Sequence, residues 1–494
     1  MSKKYMLAID QGTSSTKSVV FDVHGNLVAK GQEQLETYFM DEGFVEQNPE
    51  AIYQNVLSSI ANCLDDLQQK GGQQKDIVTV GIANQRETFI VWDDEGKPLH
   101  NAVVWQCKRS IAICNRLIAE GLKDKIKSRT GLIIDPYFSG TKLIWLYENN
   151  EKVKTAVDAG KAYFGTVDTW LLFKLSNGKS YLTDHTNASR TMFFNLARLE
   201  WDKALLDIFK LSKLNLPSVR PSSFDFGKSN FNGLFDHEVA IQAMIGDSHA
   251  AAFGEGCFEK GQAKATLGTG CSILMNAGEN LPATSKGIVT TICWSTPTRI
   301  DYALEGVIVS CGSTIEWLRR ELGLFTHAKE TEEMARSISS NNGVYIVPAF
   351  SGLGAPHWDM SRKGEIHGLT FDCNKNHVVR AGLESVAYQI REVIDVMKKG
   401  GQMELNSIVV NGGLIANNFI LDFLANLMSK QLWFGIADAS GLGAAYLAGL
   451  AAGLYQDIED IKAHLKPKTI VSPSASQLNI HDDYRRWLNH VHRV

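Results

Sequence analysis

No two of the eight cysteines in this 494-residue chain (Cys63, Cys107, Cys114, Cys257, Cys271, Cys293, Cys311 and Cys373) form a C-x-x-C pair, and none has a second Cys and two His at metal-ligand spacing. A zinc ribbon and a disulfide scaffold are thereby excluded, and reduced, mostly buried thiols are expected. An excess of one charge is missing as well: 50 Lys plus Arg stand against 54 Asp plus Glu, a formal net charge of −4, so no polybasic field is present to hold nucleic acid or an anionic membrane. Proline is scarce, at 11 residues, while 44% of the chain is apolar and 21% charged, the composition of a globular protein and of neither a disordered nor a fibrous one. The longest stretch free of charged and strongly polar residues, Gly441 to Tyr455, is shorter than the roughly 20 residues a membrane span needs, and it reads as a buried helix. Met1 to Lys4 is basic but runs straight into a strand pattern with no apolar export segment, which points to a cytoplasmic enzyme.

The length suggests two or three domains at about 150 residues each. Lys4 to Asp10, Ser18 to Asp22 and Leu27 to Gln32 are short β-type runs separated by a polar turn and by His24-Gly25-Asn26, so an antiparallel meander opens the chain. Folds that open strand-to-helix are disfavoured by it. Ile52, Val56, Ile60 and Cys63 then recur at helical spacing, with Asn48 as N-cap and Pro49 at the first helical position. Ile77 to Ala83, Phe89 to Trp92 and Ala102 to Trp105 read as strands and Lys108 to Ala119 as a helix. After the apolar run Val239 to Ile245 the pattern starts again: Ala263 to Leu267, the turn Gly268-Thr269-Gly270 and Ser272 to Asn276 repeat the strand, Gly-Thr turn, strand order seen at Gly12-Thr13. Helices are expected at Ser313 to Leu322, His377 to Lys398, Asn417 to Ser429 and Ala444 to Tyr455. The domain boundary is placed at residue 252, giving domains 1–252 and 253–494.

Two Gly-Thr hairpins in one chain suit a phosphate clamp, because tight turns with little side chain let backbone N–H groups face anionic oxygens from both sides. Asp10, at the end of a strand just before the first turn, is placed to hold Mg²⁺ against those phosphates; a plain Asp-x-Gly turn is the bland alternative. Asn411-Gly412-Gly413 offers backbone that an adenine or ribose can approach. Gly178-Lys179-Ser180 has Phe173 where a phosphate-binding P-loop needs its first glycine, and no G-x-G-x-x-G follows a strand. Arg86 and Glu87 emerge at the end of Ile77 to Ala83; one donates and the other accepts, which suits a polyhydroxylated ligand, although a surface ion pair is the alternative. Asp247 follows Val239 to Ile245 in the same way and is a candidate proton acceptor for an attacking hydroxyl. A serine hydrolase built on Asp247-Ser248-His249 is disfavoured, since no G-x-S-x-G elbow exists.

Taken together, Asp10-Gln11-Gly12-Thr13, Asn84 to Thr88, Asn101 to Cys107, Ile134 to Lys142, Gly165 to Trp170, Thr186 to Met192, Leu267 to Cys271, Tyr302 to Gly306, Tyr345 to Pro356 and Leu442 to Gly449 strongly resemble the FGGY carbohydrate kinases, and within them the members that act on glycerol. The resemblance runs over nearly the whole chain. It implies an α/β fold of two duplicated actin-like (ribonuclease H-like) domains around a central cleft, with ATP and Mg²⁺ in the cleft and a γ-phosphoryl group passed to a terminal hydroxyl. By the same resemblance Asp247 is the base, Asp10 and Asp247 attend the metal, and Arg86, Glu87, Trp105, Tyr137, Asp247, Ser248 and Ser272 contact the substrate. Thr13, Ser14, Ser15, Lys17, Thr269, Gly312, Glu316, Gly413 and Asn417 fall on nucleotide positions. A homodimer or homotetramer is the expected assembly.

Departures from the glycerol-specific pattern concentrate on substrate positions: Ser248 replaces Gln and Ser272 replaces Phe. Losing a phenyl face removes about 1–3 kcal/mol of apolar contact. The emptier pocket suits a ligand one or two carbons longer, a tetritol, tetrulose or pentulose, whose extra hydroxyls meet Ser248, Ser272 or His249; glycerol remains the lead if water or shifted neighbours fill the space. Lys17 stands for Arg, which keeps charge and loses bidentate geometry. Asn411 stands for Asp, and Glu316 for Gln, adding negative charge beside the nucleotide. An actin-like ATPase with no metabolite substrate is the reading from another class.

Overall fold

The structure, a computed structural model, describes residues 4–283, 285–465, 469–474 and 479–492. Of the basic start read from the sequence, residues 1–3 lie outside the described residues. Tyr5–Gln11, Ser15–Asp22 and Leu27–Gln34 form the antiparallel meander. Asn48 accepts hydrogen bonds from the N–H groups of Glu50 and Ala51, and Pro49 starts helix Pro49–Gln69 where no N–H is needed. That helix buries Ile52, Val56, Ile60 and Cys63 against the sheet. Ile77–Asn84 pairs parallel with Tyr5–Gln11, Val239–Gly246 parallel with Ile77–Asn84, and Ser223–Ser229 closes the edge antiparallel, completing six strands.

The second half repeats this order. Gln262–Leu267, Cys271–Gly278 and Arg299–Ile308 make the meander, Ser407–Asn411 pairs parallel with Gln262–Leu267, and Leu432–Phe434 parallel with Ser407–Asn411. Val289–Thr296 and Thr469–Val471 widen the sheet to seven strands. Helix Lys375–Gly401 sits between the third and fourth strands of its repeat, as Pro49–Gln69 does in the first. The architecture is a mixed α/β fold of two repeated domains, and the two Gly-Thr turns are the first turns of the two sheets.

A helix follows the fifth strand of each repeat, Asp247–Gly254 and Ala439–Ala451, and the two cross in close contact. A Cβ at Gly254 would stand 2.2 Å from the Ala439 carbonyl oxygen, and one at Gly443 1.9 Å from that of Ala250, so the crossing requires glycine at both positions. The expected boundary at residue 252 falls inside the first of these helices, and the second sheet starts at Gln262. The apolar stretch read at Gly441 to Tyr455 is largely this second, buried helix, which begins at Ala439 and ends at Ala451. Among the described residues no helix is long and apolar enough to cross a membrane. All eight cysteines are free; seven are buried and Cys373 is partly so.

Between the fourth and fifth strands of the first domain lies an insertion that carries Trp105 and Tyr137. It contributes Phe89–Trp92, Ala102–Val103 and Tyr163–Thr166 to a five-stranded sheet with Tyr38–Phe39 and Val45–Gln47. Here the expected elements shorten: the strand read to Trp105 ends at Val103, and the helix read from Lys108 starts at Ile111. The chain between them is turn, which sets Trp105 facing the cleft.

Candidate active site

A cavity of about 650 Å³ opens between the two sheets, lined by Asp10, Gly12, Thr13, Lys17, Arg86, Glu87, Trp105, Tyr137, Asp247 and Ser248 from the first domain and by Lys264, Gly268, Gly270, Ser272, Gly412 and Asp438 from the second. Each side of it begins with a turn pinned to its surroundings. Gly12 N–H donates to Ser15 O (3.0 Å), the Thr13 carbonyl accepts from Gln47 Nε2 (2.7 Å), and the Thr13 hydroxyl accepts the Trp105 indole N–H (2.9 Å). In the second turn Gly268 N–H donates to Gly270 O (2.9 Å), while the N–H groups of Cys311 and Ser313 donate to Thr269 O (3.0 and 3.1 Å) and that of Gly312 to Gly268 O (2.9 Å). Helix Gly312–Arg320 is thus stitched to the turn by its first residues. A Cβ built on Gly413 meets nothing within 4 Å, so the backbone there borders open space.

Of the nucleotide positions, Thr13 and Lys17 line the cavity, Ser14, Ser15 and Thr269 adjoin its lining residues, and Gly312, Glu316, Gly413 and Asn417 do not line it. Asn417 instead caps helix Asn418–Met428 through Ile420 N–H and donates to Thr331 Oγ1 (3.0 Å). Glu316 pairs with Arg319 at 2.5 Å and with Arg320 on its own helix, and the Arg319 hydrogen bond brings its carboxyl down to about 2. Its charge is answered within that helix.

Asp10, Asp247 and Asp438 face the same space. Burial and the nearby Asp247 carboxylate push the Asp10 carboxyl up to about 7, against the pull of Lys17, which pairs with Asp438 at 3.4 Å. Mutually repelling hard oxygen donors beside glycine-rich turns fit Mg²⁺, a cation that takes one or two carboxylates plus phosphate oxygens.

Opposite them, Arg86 and Glu87 are 5% and 1% exposed, so the surface-pair alternative fails. Glu87 has a φ of 61°, left-handed backbone that aims it inward from the strand end. Arg86 reaches Glu305 Oε1 through Nη1 (2.7 Å), Tyr137 OH through Nη2 (3.3 Å) and Asp247 Oδ1 through Nε (3.4 Å). Arg190 holds Glu87 Oε1 at 2.6 Å and Glu305 Oε2 at 2.5 Å. Burial alone would raise the Glu305 carboxyl, but Arg190 and Arg86 hold it well below the usual carboxylate range; for Glu87 burial prevails and the carboxyl is raised. Trp105 and Tyr137 meet edge to face, ring centroids 5.6 Å apart, as the apolar wall.

Sequence reasoning missed four residues here. Glu305 and Arg190 lie in recognised motifs but were given no role. Buried Lys142 donates to the carbonyls of Trp105 (3.3 Å), Pro136 (3.0 Å) and Tyr137 (2.8 Å), fixing both aromatic residues from behind. Lys264 Nζ donates to Ser248 Oγ (2.6 Å), and Ser248 Oγ lies 3.3 Å from Ser272 Oγ. Its signal was available: a lone lysine between Ala263 and Ala265 on an apolar strand. His249, read as a candidate contact for substrate hydroxyls, is fully buried and absent from the cavity wall. Burial, with Arg86 nearby, holds its imidazole well below the ordinary value and therefore neutral.

Two repeated domains facing one cleft, with glycine turns and carboxylates on one side and a buried polar cage on the other, define a phosphotransferase that passes a phosphoryl group from a nucleotide to a small hydroxylated acceptor. Residues 5–254 match the N-terminal domain of the FGGY family of carbohydrate kinases and residues 263–452 its C-terminal domain. The chain belongs to the FGGY family of carbohydrate kinases and is accordingly an ATP-dependent phosphotransferase with an alcohol acceptor, using Mg²⁺ with the nucleotide. It is 43% identical to the glycerol kinase of Fusobacterium nucleatum subsp. nucleatum over 495 residues, covering 99% of each chain, and 43% identical to that of Shewanella pealeana over 496 residues, covering 100% of each. The crystal structure of Plasmodium falciparum glycerol kinase with ADP superposes with a TM-score of 0.93 at 32% identity, covering 99% of this chain and 98% of that one.

Proposed function

We propose that this chain transfers the γ-phosphoryl group of ATP to a terminal hydroxyl of glycerol, giving glycerol 3-phosphate. The observation that carries the reading is the cage of Arg86, Glu87, Trp105, Tyr137 and Asp247 in one cavity with Asp10; relatives named glycerol kinase at 43% identity support the acceptor. Arg86 donates to one hydroxyl and Glu87 accepts from its neighbour, while Trp105 and Tyr137 cover the carbon chain. Asp247 accepts the proton of the attacking hydroxyl. Thr13, Ser14, Ser15, Lys17, Thr269, Gly312, Gly413 and Asn417 are assigned to the nucleotide, and Asp10, with Asp247 nearby, to the metal. Mg²⁺, when bound there, draws charge from the phosphate oxygens during transfer. Closure of domains 1–252 and 253–494 over the site excludes water as a competing acceptor. We place the enzyme in the cytoplasm, a reading supported by its free cysteines.

One observation favours a second acceptor class. Ser248, Ser272 and Lys264 form a polar wall where glycerol-specific members carry Gln and Phe, which suits a tetritol, tetrulose or pentulose. An ATPase without a metabolite substrate has no use for the buried cage. The deciding experiment is coupled ADP release with Mg-ATP and glycerol, dihydroxyacetone, erythritol, erythrulose, ribitol, xylulose or ribulose, corrected for substrate-free hydrolysis. Highest kcat/KM on glycerol upholds the first reading; a four- or five-carbon compound in the lead replaces it with the second. Asp247→Asn should abolish transfer and leave ATP binding nearly intact, and retained activity would remove its assigned role.

A further inference from the structure

Away from the cleft, three segments far apart in sequence bring two imidazoles and a carboxylate together: His357, in the turn after Ala355-Pro356; Glu392, on helix Lys375–Gly401; and His492, at the end of helix Ile480–Val491. One ligand atom from each lies within 4.8 Å of the others. His357 Nε2 is 2.9 Å and His492 Nε2 3.6 Å from Glu392 Oε1, and the two rings stand 5.3 Å apart at 63°. We propose that His357, Glu392 and His492 form a second metal site, distinct from the oxygen-donor site at Asp10, that takes a Zn²⁺-type ion and leaves a fourth position to water.

Three arguments carry it. The donor set selects the ion: two imidazoles and one carboxylate suit zinc, whereas Mg²⁺ and Ca²⁺ take oxygen. The spacing agrees, because a tetrahedral ion with bonds of about 2.0–2.1 Å holds its ligand atoms roughly 3.3 Å apart, and the two measured separations straddle that value. The electrostatics also ask for a cation. Glu392 is 6% exposed, and among the described residues its recorded ion pairs are with these two histidines, which carry charge only when protonated. A buried carboxylate without a fixed positive partner is costly, and a divalent ion supplies one. Bound there, the ion ties the C-terminal helix, already held by Trp487 Nε1 donating to Ile346 O at 2.8 Å, to helix Lys375–Gly401 and the turn at His357.

The test uses full-length protein stripped by a chelator and titrated with Zn²⁺ in excess Mg²⁺, which occupies the oxygen-donor site. One Zn²⁺ per chain is expected, and Co²⁺ in its place should show the visible d–d band of a four-coordinate ion. His492→Ala, at a side chain 59% exposed, and His357→Gln should each remove that band and weaken Zn²⁺ binding by more than the roughly tenfold that losing even an outer hydrogen-bond partner costs. The kinase rate of both variants should match wild type. No Zn²⁺ uptake by wild type, or equal affinity in wild type and both variants, overturns the proposal.

Discussion

Glu305 belongs to the second domain, yet its carboxylate holds two arginines of the first, Arg86 at 2.7 Å and Arg190 at 2.5 Å. Glu305→Gln keeps the shape and the acceptor facing Arg86 but turns an amide N–H toward the Arg190 guanidinium, donor against donor. The pairs are fully desolvated, with side chains between 0 and 5% exposed, so removing one partner should cost about 3–5 kcal/mol. That matches the roughly 4 kcal/mol of Coulomb attraction between unit charges 4 Å apart at an effective dielectric of 20. The loss has a functional branch too. Freed from Glu305, Arg86 retains Asp247 at 3.4 Å as its carboxylate partner and moves toward it, occupying the proposed proton acceptor and abandoning the acceptor alcohol. Losing one charged hydrogen bond to the alcohol is worth about 1.5–3 kcal/mol, a fall in kcat/KM of about ten- to hundredfold. Steady-state ADP release with each substrate varied in turn, beside thermal unfolding, reads both branches: a lowered melting temperature, a higher KM for the alcohol and a nearly unchanged KM for ATP. Wild-type melting and wild-type kcat/KM for the alcohol in Glu305→Gln would refute the reasoning.

Other consequences can be checked the same way. Burial pushes the Lys142 ammonium from 10.5 down to about 8, so the folded chain releases this proton first as pH rises. Above about pH 8 three carbonyls then share two N–H groups, and KM for the alcohol should rise; Lys142→Met should give a high, pH-independent KM, and a wild-type KM constant from about pH 7 to 9 counts against the role. The same difference makes the folded state gain stability relative to the unfolded between about pH 8 and 10.5. Gly443→Ala forces apart the crossing helices and should lower the melting temperature by the equivalent of about 1–3 kcal/mol or more, whereas Gly441→Ala on the same helix meets its nearest neighbour at 3.6 Å and should be tolerated; equal melting of the two variants contradicts the crossing argument. Ser272→Phe with Ser248→Gln should move selectivity toward glycerol by about 1–3 kcal/mol, roughly five- to hundredfold, and an unchanged ratio of kcat/KM values would remove the polar wall as a determinant.

What the sequence made legible is what is determined locally. Asn48 and Pro49 announce a helix start because capping depends on adjacent residues, and Asp10-Gln11-Gly12-Thr13 announces a turn for the same reason. The repeat was readable because strand, Gly-Thr turn and strand follow each other directly in both domains. Glu305 was not: its partners Arg86 and Arg190 lie on the other domain, and nothing in the alternation of Arg299–Ile308 says which strand residue meets them. Lys142 escaped because its work is done on backbone carbonyls, which have no sequence signature. Glu316 was placed by the resemblance and His249 by its neighbours Asp247 and Ser248, while the structure pairs the first with arginines on its own helix and buries the second behind Gly246.

Ion pairs join the domains on both sides of the cavity, Lys17 with Asp438 on one and Arg86 and Arg190 with Glu305 on the other, and their burial separates their roles. Lys17 and Asp438, 41% and 14% exposed, meet at 3.4 Å beside the glycine turns; a pair so open to water is worth about 1 kcal/mol or less. Arg86 and Glu305, beside the proposed polyol cage, are sealed from solvent and strongly joined. The crossing of the two helices at Gly254 and Gly443 leaves no room for an added Cβ, so the domains are in closest approach there. Rotation about that crossing is expected to part the exposed pair first, opening the proposed nucleotide side while the proposed polyol cage stays assembled.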